Sequence, residues 1–281
     1  MKKVLTTVLL STMILGGVIT ATQTAHADQN GKPGGTLHSQ GSIKYFPDKD
    51  PVNPVDPDNP TPDPVNPVNP DPDDPTPNPE PGTDGPLSLD YVPDLYFGLN
   101  KITTKDETYN AYATPLKKDD GSIDKYVPTY TQVTDKRGAY TGWTLTVAEK
   151  DPFTSTSSKA TLGDATSITL TNQKVAGIWK DATAPSSLGG TITLTPNNEA
   201  QKVVAAKANE GEGTWISSWG QVSTEKRYTP AKDTEGNETD PTLQDTQVDN
   251  SVQLTVPGSV KKMAERYVTN LDWVLTDTPA Q

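Results

Sequence analysis

From Leu87 onward, apolar and polar residues alternate along the chain with a period of two. Trp143, Leu145 and Val147 alternate with Thr144 and Thr146, and Ile168 and Leu170 with Thr169 and Thr171. Ile192 and Leu194 alternate with Thr191, Thr193 and Thr195, and Val252, Leu254 and Val256 with Gln253 and Thr255. Successive side chains of a strand point to opposite faces, so the pattern predicts half-buried antiparallel strands. Turn-forming clusters separate them: Asp119-Asp120-Gly121, Lys136-Arg137-Gly138, Ser187-Leu188-Gly189-Gly190, Thr195-Pro196-Asn197-Asn198 and Glu235-Gly236-Asn237. With no long helical pattern between strands, the expected fold is all-β, an antiparallel β-sandwich of Greek-key type. Val260 to Arg266 holds good helix formers after Pro257-Gly258 and is read as a connecting turn or one or two helical turns.

The chain before this region is built differently. Lys2 and Lys3, a mostly apolar run from Val4 to Ile19, and Ala25-His26-Ala27 form the pattern of a secretory signal peptide over residues 1–27, with cleavage expected after Ala27. A membrane span needs about 20 strongly apolar residues, and Thr6, Thr7, Ser11 and Thr12 interrupt this one. No membrane span is therefore expected after signal removal. Residues 28–46 are polar and Gly-rich and end in one strand-like run, Ser42-Ile43-Lys44-Tyr45-Phe46. Residues 47–83 repeat Asp-Pro and Asn-Pro, as in Asp50-Pro51, Asn53-Pro54 and Asp56-Pro57. Proline fixes φ, removes a donor and pushes its predecessor to extended geometry, so the segment is expected to be a disordered, extended spacer preceding the β-domain of residues 84–281.

Charge and composition narrow the function. The formal charge is −12, and removing Lys2 and Lys3 leaves 22 basic against 36 acidic residues, which is −14. A chain this acidic is repelled by nucleic acid and by anionic membrane, so neither is expected as a partner. With no cysteine there is no disulfide and no thiolate site. The Asp-rich stretches, including Asp233 to Glu238, lack the ligand register of a calcium loop, so neither metal nor cofactor is expected. His38 is the one histidine beyond the signal segment, which leaves a His-based triad little to build on, and no context singles out a carboxylate pair. The expectation is a binding protein and not an enzyme.

Two Trp-x-Leu tripeptides stand in related surroundings. Trp143-Thr144-Leu145 follows Val133-Thr134-Asp135-Lys136-Arg137-Gly138, and Trp273-Val274-Leu275 follows Tyr267-Val268-Thr269-Asn270-Leu271-Asp272, with Val256-Pro257-Gly258 upstream. Together with the Gly85-Pro86-Leu87-Ser88-Leu89-Asp90 start and the preceding spacer, the pair resembles the WxL-domain surface proteins of Gram-positive bacteria. That resemblance covers nearly the whole mature chain. It implies a secreted protein of the cell wall and cell surface, attached non-covalently to peptidoglycan or another wall polymer, and assembling with other surface proteins. The alternative it leaves open is an adhesin-like subunit whose wall contact is made by a partner. The sequence shows no Leu-Pro-x-Thr-Gly sorting signal and no cysteine to carry a lipid, in line with non-covalent attachment. A wall rich in anionic polymer repels an acidic chain, so binding has to come from specific contacts.

The wall- or partner-binding motif implied is Trp143, Leu145, Trp273 and Leu275. Residues two apart in a strand share a face, so Trp143, Leu145 and Val147 lie together, as do Leu271, Trp273 and Leu275, with Tyr267 in phase if the strand reaches back. Such a face, continued by Val147, is more naturally core, and the other reading is an aromatic platform for sugar rings. Trp215 and Trp219, four apart in a Gly-flanked run, and Trp179 carry the same two readings. Lys136 and Arg137, a basic pair beside the first motif, are either a solvated turn or a contact to an acidic group of the wall.

Overall fold

The computed structural model describes residues 37–72, 74, 79–232, 235 and 238–280. The expected signal segment with Ala27 and the first part of the 28–46 stretch lie outside these residues. The chain divides into two units, Met1–Lys44 and Tyr45–Gln281. In the first, residues 37–44 are exposed and irregular. The run Ser42 to Phe46 forms no strand: Ile43 is 77 % exposed and Phe46 86 %. A strand needs a ladder partner, and Pro47 cuts this one short after five residues.

Among the described residues the second unit is built from strands and loops, without a helix. The strands are β1 (Asn66–Pro67), β2 (Leu87–Tyr91), β3 (Glu107–Tyr112), β4 (Thr114–Lys117), β5 (Ile123–Val127) and β6 (Tyr130–Asp135). There follow β7 (Trp143–Glu149), β8 (Thr154–Ser155), β9 (Ser167–Leu170), β10 (Gln173–Gly177), β11 (Ser187–Leu188) and β12 (Ile192–Leu194). The last are β13 (Gln201–Ala206), β14 (Gly213–Trp219), β15 (Val222–Lys232), β16 (Glu238–Val256), β17 (Tyr267–Val268) and β18 (Leu271–Thr276). All pairings are antiparallel.

The strands divide among five sheets instead of the two facing sheets of a sandwich. Two four-stranded sheets run in the orders β10-β14-β6-β2 and β11-β13-β7-β18, and a larger one runs β12-β9-β16-β15 with β3 also on β16. Small sheets β1-β4-β5 and β17-β8 complete the set. The largest sheet is held together by the length of β16, which pairs with β15 over its first part and with β3 and β9 toward its end. One apolar core draws on all three larger sheets, with Leu89 and Val133, Leu145 and Val204, and Ile168 and Leu254 among its members. One local expectation changes: Ser187-Leu188 is a short strand on β13 instead of part of a turn. Val260 to Arg266 is a connecting turn, the first of the two forms expected for it.

The prolyl segment is not the free spacer that its composition suggested. Val55 and Val68 are buried, Val55 bridges Pro64, and β1 pairs with β4. A second apolar cluster joins Val55 to Tyr91, Leu116, Val127, Tyr130 and Ile216. The buried amide of Gln132 completes the attachment: its Oε1 accepts from Val55 N at 2.8 Å, and its Nε2 donates to Asn53 O at 3.0 Å and to Asp90 at 2.9 Å. Three basic residues hold the acidic stretch from outside. Lys125 meets Asp56 and Asp58, Lys136 meets Asp48, and Arg266 meets Asp71 and Asp74. Proline excludes the segment from a sheet interior but leaves it an edge, and the valines between prolines supply the apolar anchors.

Candidate functional site

The fold sets the two Trp-x-Leu motifs side by side. β7 and β18 are neighbours in register, with Leu275 opposite Leu145 and Trp273 opposite Val147. On β7 the inward face is Trp143, Leu145 and Val147, all fully buried. On β18, the edge of the sheet, Leu271, Trp273 and Leu275 are half-buried and pack on the core, while the residues between them are exposed. Tyr267 packs on the same core but belongs to β17, paired with β8.

The first tryptophan is fixed by a specific bond. Its indole Nε1 donates to Gly211 O at 2.9 Å. Gly211 has φ of +76°, and a Cβ there would stand 2.6 Å from that indole nitrogen and 2.5 Å from the Ala206 methyl. Only glycine brings the backbone this close to the ring. Trp273 lies against Trp219, ring centroids 6.4 Å apart.

Trp215 and Trp219 sit on β14, four residues apart on one face, and both are buried in the core that holds Trp143. The Trp215 indole donates to Glu212 O at 2.9 Å. Four tryptophans from three strands therefore converge on one interior, and the motif face is core before it is surface. Trp179 differs: it is 56 % exposed and covers Gly213.

The basic pair is already occupied. Lys136 Nζ donates to Asp48 Oδ2 at 2.6 Å and to Asp50 O at 2.7 Å. Arg137 grips the buried Asp135 with two donors, at 3.0 and 2.7 Å, and donates to Gly142 O at 2.7 Å. Such a bidentate pair is rigid, and here it fastens the turn between β6 and β7 just before Trp143. Both residues act on the protein's own chain.

Several functional-looking groups carry no sequence signal. Glu149 extends the inward face of β7, is 1 % exposed, and neither carboxyl oxygen has a hydrogen-bond partner. Burial pushes its pKa up to about 7, opposed by the nearby Thr269 hydroxyl. Asp249, fully buried on β16, is pushed up to about 6 by burial, although it accepts from the backbone N–H groups of Thr129 and Ser251 at 2.9 Å each. The two lie in different sheets. Among the described residues no group of three or more acidic or histidine side chains converges as a metal site requires.

Among the described residues, the surface grooves include two of note. One, about 680 Å³, runs between Pro57–Pro60, Tyr126 and the free edge of β10, with Lys174 and Asp58 as its charges. The other, about 240 Å³, is lined by the loop from Leu99 to Thr103 and by β3 and β15, and carries Lys101, Lys226 and Arg227 against Glu107.

A family model described as WxL domain, surface cell wall-binding, matches residues 32–279, nearly the whole chain. No curated protein and no solved structure matches it.

Proposed function

The chain belongs to the WxL family of surface cell wall-binding domains, and on that premise we propose that it is a non-covalently attached surface protein that docks to peptidoglycan as a binding and scaffold module. Its place is the cell wall and cell surface. The observation that carries the finer reading is the family match over residues 32–279, which takes in the docked prolyl segment as well as both motif strands. A binding role, not a catalytic one, suits a chain whose family is described as cell wall-binding.

In this reading the motifs build the wall-binding domain and the exposed surface makes the contact. Mature protein mixed with protein-stripped walls is expected in the pellet, and denaturant alone is expected to release it intact. Protein left in the supernatant at every wall concentration would sink the reading. Trp143→Ala should cost about 3–5 kcal/mol of stability, as deletion of a fully buried aromatic does. Trp273→Ala, half-buried at the sheet edge, should cost less, and the variant that stays folded should still pellet. Loss of pelleting with an unchanged melt would instead make Trp273 a direct contact.

The alternative, an adhesin-like subunit held to the wall by a partner protein, has one observation of its own. Trp179 presents an exposed ring, and tryptophan is enriched at interface hot spots. Retention that needs added surface extract, and fails on stripped walls, would favour it.

A further inference from the structure

We propose that the groove beside Lys101 is a subsite for a sugar residue bearing an acidic group, a carboxylate or a phosphate. The proposal deepens the wall-binding reading and rests on it for the source of the polymer.

The groove gathers cations on an acidic protein. Three line it, Lys101, Lys226 and Arg227, with Glu107 in the lining and the carboxylates of Asp245 and Glu225 beside two of them, in a chain of formal charge −12. Their availability differs. Arg227 is 8 % exposed and committed to the protein, donating to Phe97 O and to Asn100 Oδ1, with Glu225 at 3.7 Å. Lys226 pairs with Asp245 at 2.9 Å, but both side chains are more than 60 % exposed, and such a pair exchanges readily for another anion. Lys101 has no carboxylate within ion-pair distance among the described residues. Its Nζ instead lies 4.7 Å from the centre of the Tyr228 ring.

The walls are held in place before any ligand arrives. Leu99 bridges Tyr228, tying the loop to β15. The Asn100 amide donates to Phe97 O and Gly98 O, each at 3.0 Å, and so sets its Oδ1 toward Arg227. Gly98 has φ of +79°, and a Cβ there would stand 2.7 Å from the Tyr112 ring, so the loop closes only with glycine at this point. A preformed wall lowers the ordering cost of binding.

Shape and chemistry then limit the ligand. A volume of about 240 Å³, open to solvent, holds one unit of a polymer and not a folded epitope or a helix. Tyr109, which packs on the core, and Tyr228, whose ring Lys101 overlies, are half-buried in the lining and supply phenol hydroxyls, which can donate to and accept from those of a sugar. Lys101 supplies the unpaired positive charge for the acidic group, with Lys226 at hand. A neutral sugar would leave that charge unused.

The test uses the mature chain and three probes: oligogalacturonate for carboxylate, an oligomeric hexose phosphate for phosphate, and a neutral chitooligosaccharide. Titration calorimetry is expected to show saturable binding of at least one acidic probe and weaker or no binding of the neutral one. Which acidic probe binds identifies the group. Lys101→Glu should weaken that binding by about ten-fold or more, since it sets like charges together. Lys101→Gln should give a smaller loss, and Lys118→Glu, on an exposed lysine outside the groove, none. The proposal is overturned if neither acidic probe saturates, if the neutral probe binds as tightly, or if both Lys101 variants bind as the parent does. The outcomes separate from those of the wall assay. Walls that retain the protein while acidic probes fail leave the wall reading standing without this site, and Lys101-dependent probe binding without wall retention does the reverse.

Discussion

Glu149 shows how far the sequence pattern reaches at the scale of single residues. Alternation from Trp143 through Val147 correctly marks the inward face of β7, and the same parity carries the face to position 149. A carboxylate there reads from sequence as the end of a strand, because nothing local reveals that the strand continues and β18 covers it. The result is a buried acid without a hydrogen-bond partner, whose pKa rises from 4.5 to about 7. The unfolded chain gives up this proton near pH 4.5, whereas the folded one keeps it until about 7. Between those values the folded state binds more protons, so stability is greatest below about 4.5 and falls as pH rises through the window. The full shift corresponds to about 3 kcal/mol at most. Glu149→Gln should therefore stabilise the protein at pH 8 by on the order of 1–2 kcal/mol, the amide still leaving unpaired polar atoms, and change little at pH 4. Denaturant melts of both proteins from pH 4 to 8 test this, and parallel stability curves would rule it out. The tryptophans were more legible: period two alone assigned Trp143 and Leu145 to one face, and the structure makes that face core. What the sequence could not supply was the partner of each ring, such as Gly211, distant in the chain from Trp143.

The prolyl segment carries the corresponding lesson for elements. Its composition rightly excludes helix and sheet interior, yet the inference of a free spacer fails because attachment is made by residues far away in sequence. Gln132 is spent on Val55 and Asn53, Lys125 on Asp56 and Asp58, and Arg266 on Asp71. The sequence does show valines recurring between the prolines, and these are the residues that go under, Val55 to 2 % exposure and Val68 to 5 %. A chain beginning at Pro79 is therefore expected to melt lower than one beginning at Tyr45. Burial of two valines contributes about 3 kcal/mol, and the shift is on the order of 10 °C for a domain of this size. The loss also uncovers Gln132 and the Tyr91–Tyr130 pair, whose ring centroids lie 4.5 Å apart, so hydrogen exchange in β6 should quicken. Equal melting temperatures and unchanged exchange would restore the spacer.

At the scale of the molecule, an all-β antiparallel fold follows from alternation, but the assignment of strands to sheets does not. β7 pairs with β18 across more than a hundred residues, and β16 with β3 across a similar distance. Such pairings are chosen by the shared core and not by local signals. The same contrast between local and summed terms governs wall binding. The whole chain, at −12, is repelled by anionic polymer, while any specific contact acts over a few ångströms. Salt screens exposed charges beyond a Debye length, about 30 Å at 0.01 M and about 8 Å at 0.15 M, so it removes the long-range repulsion first and leaves desolvated short-range contacts less affected. Retention on stripped walls is therefore expected to hold steady or rise as salt increases from about 0.01 to about 0.15 M. A protein held by a net opposite charge behaves the other way and washes off over the same range. Pelleting across a salt series distinguishes the two, and a steep fall in retention would mean that diffuse attraction, which this chain's charge opposes, is supplied by something other than the domain itself.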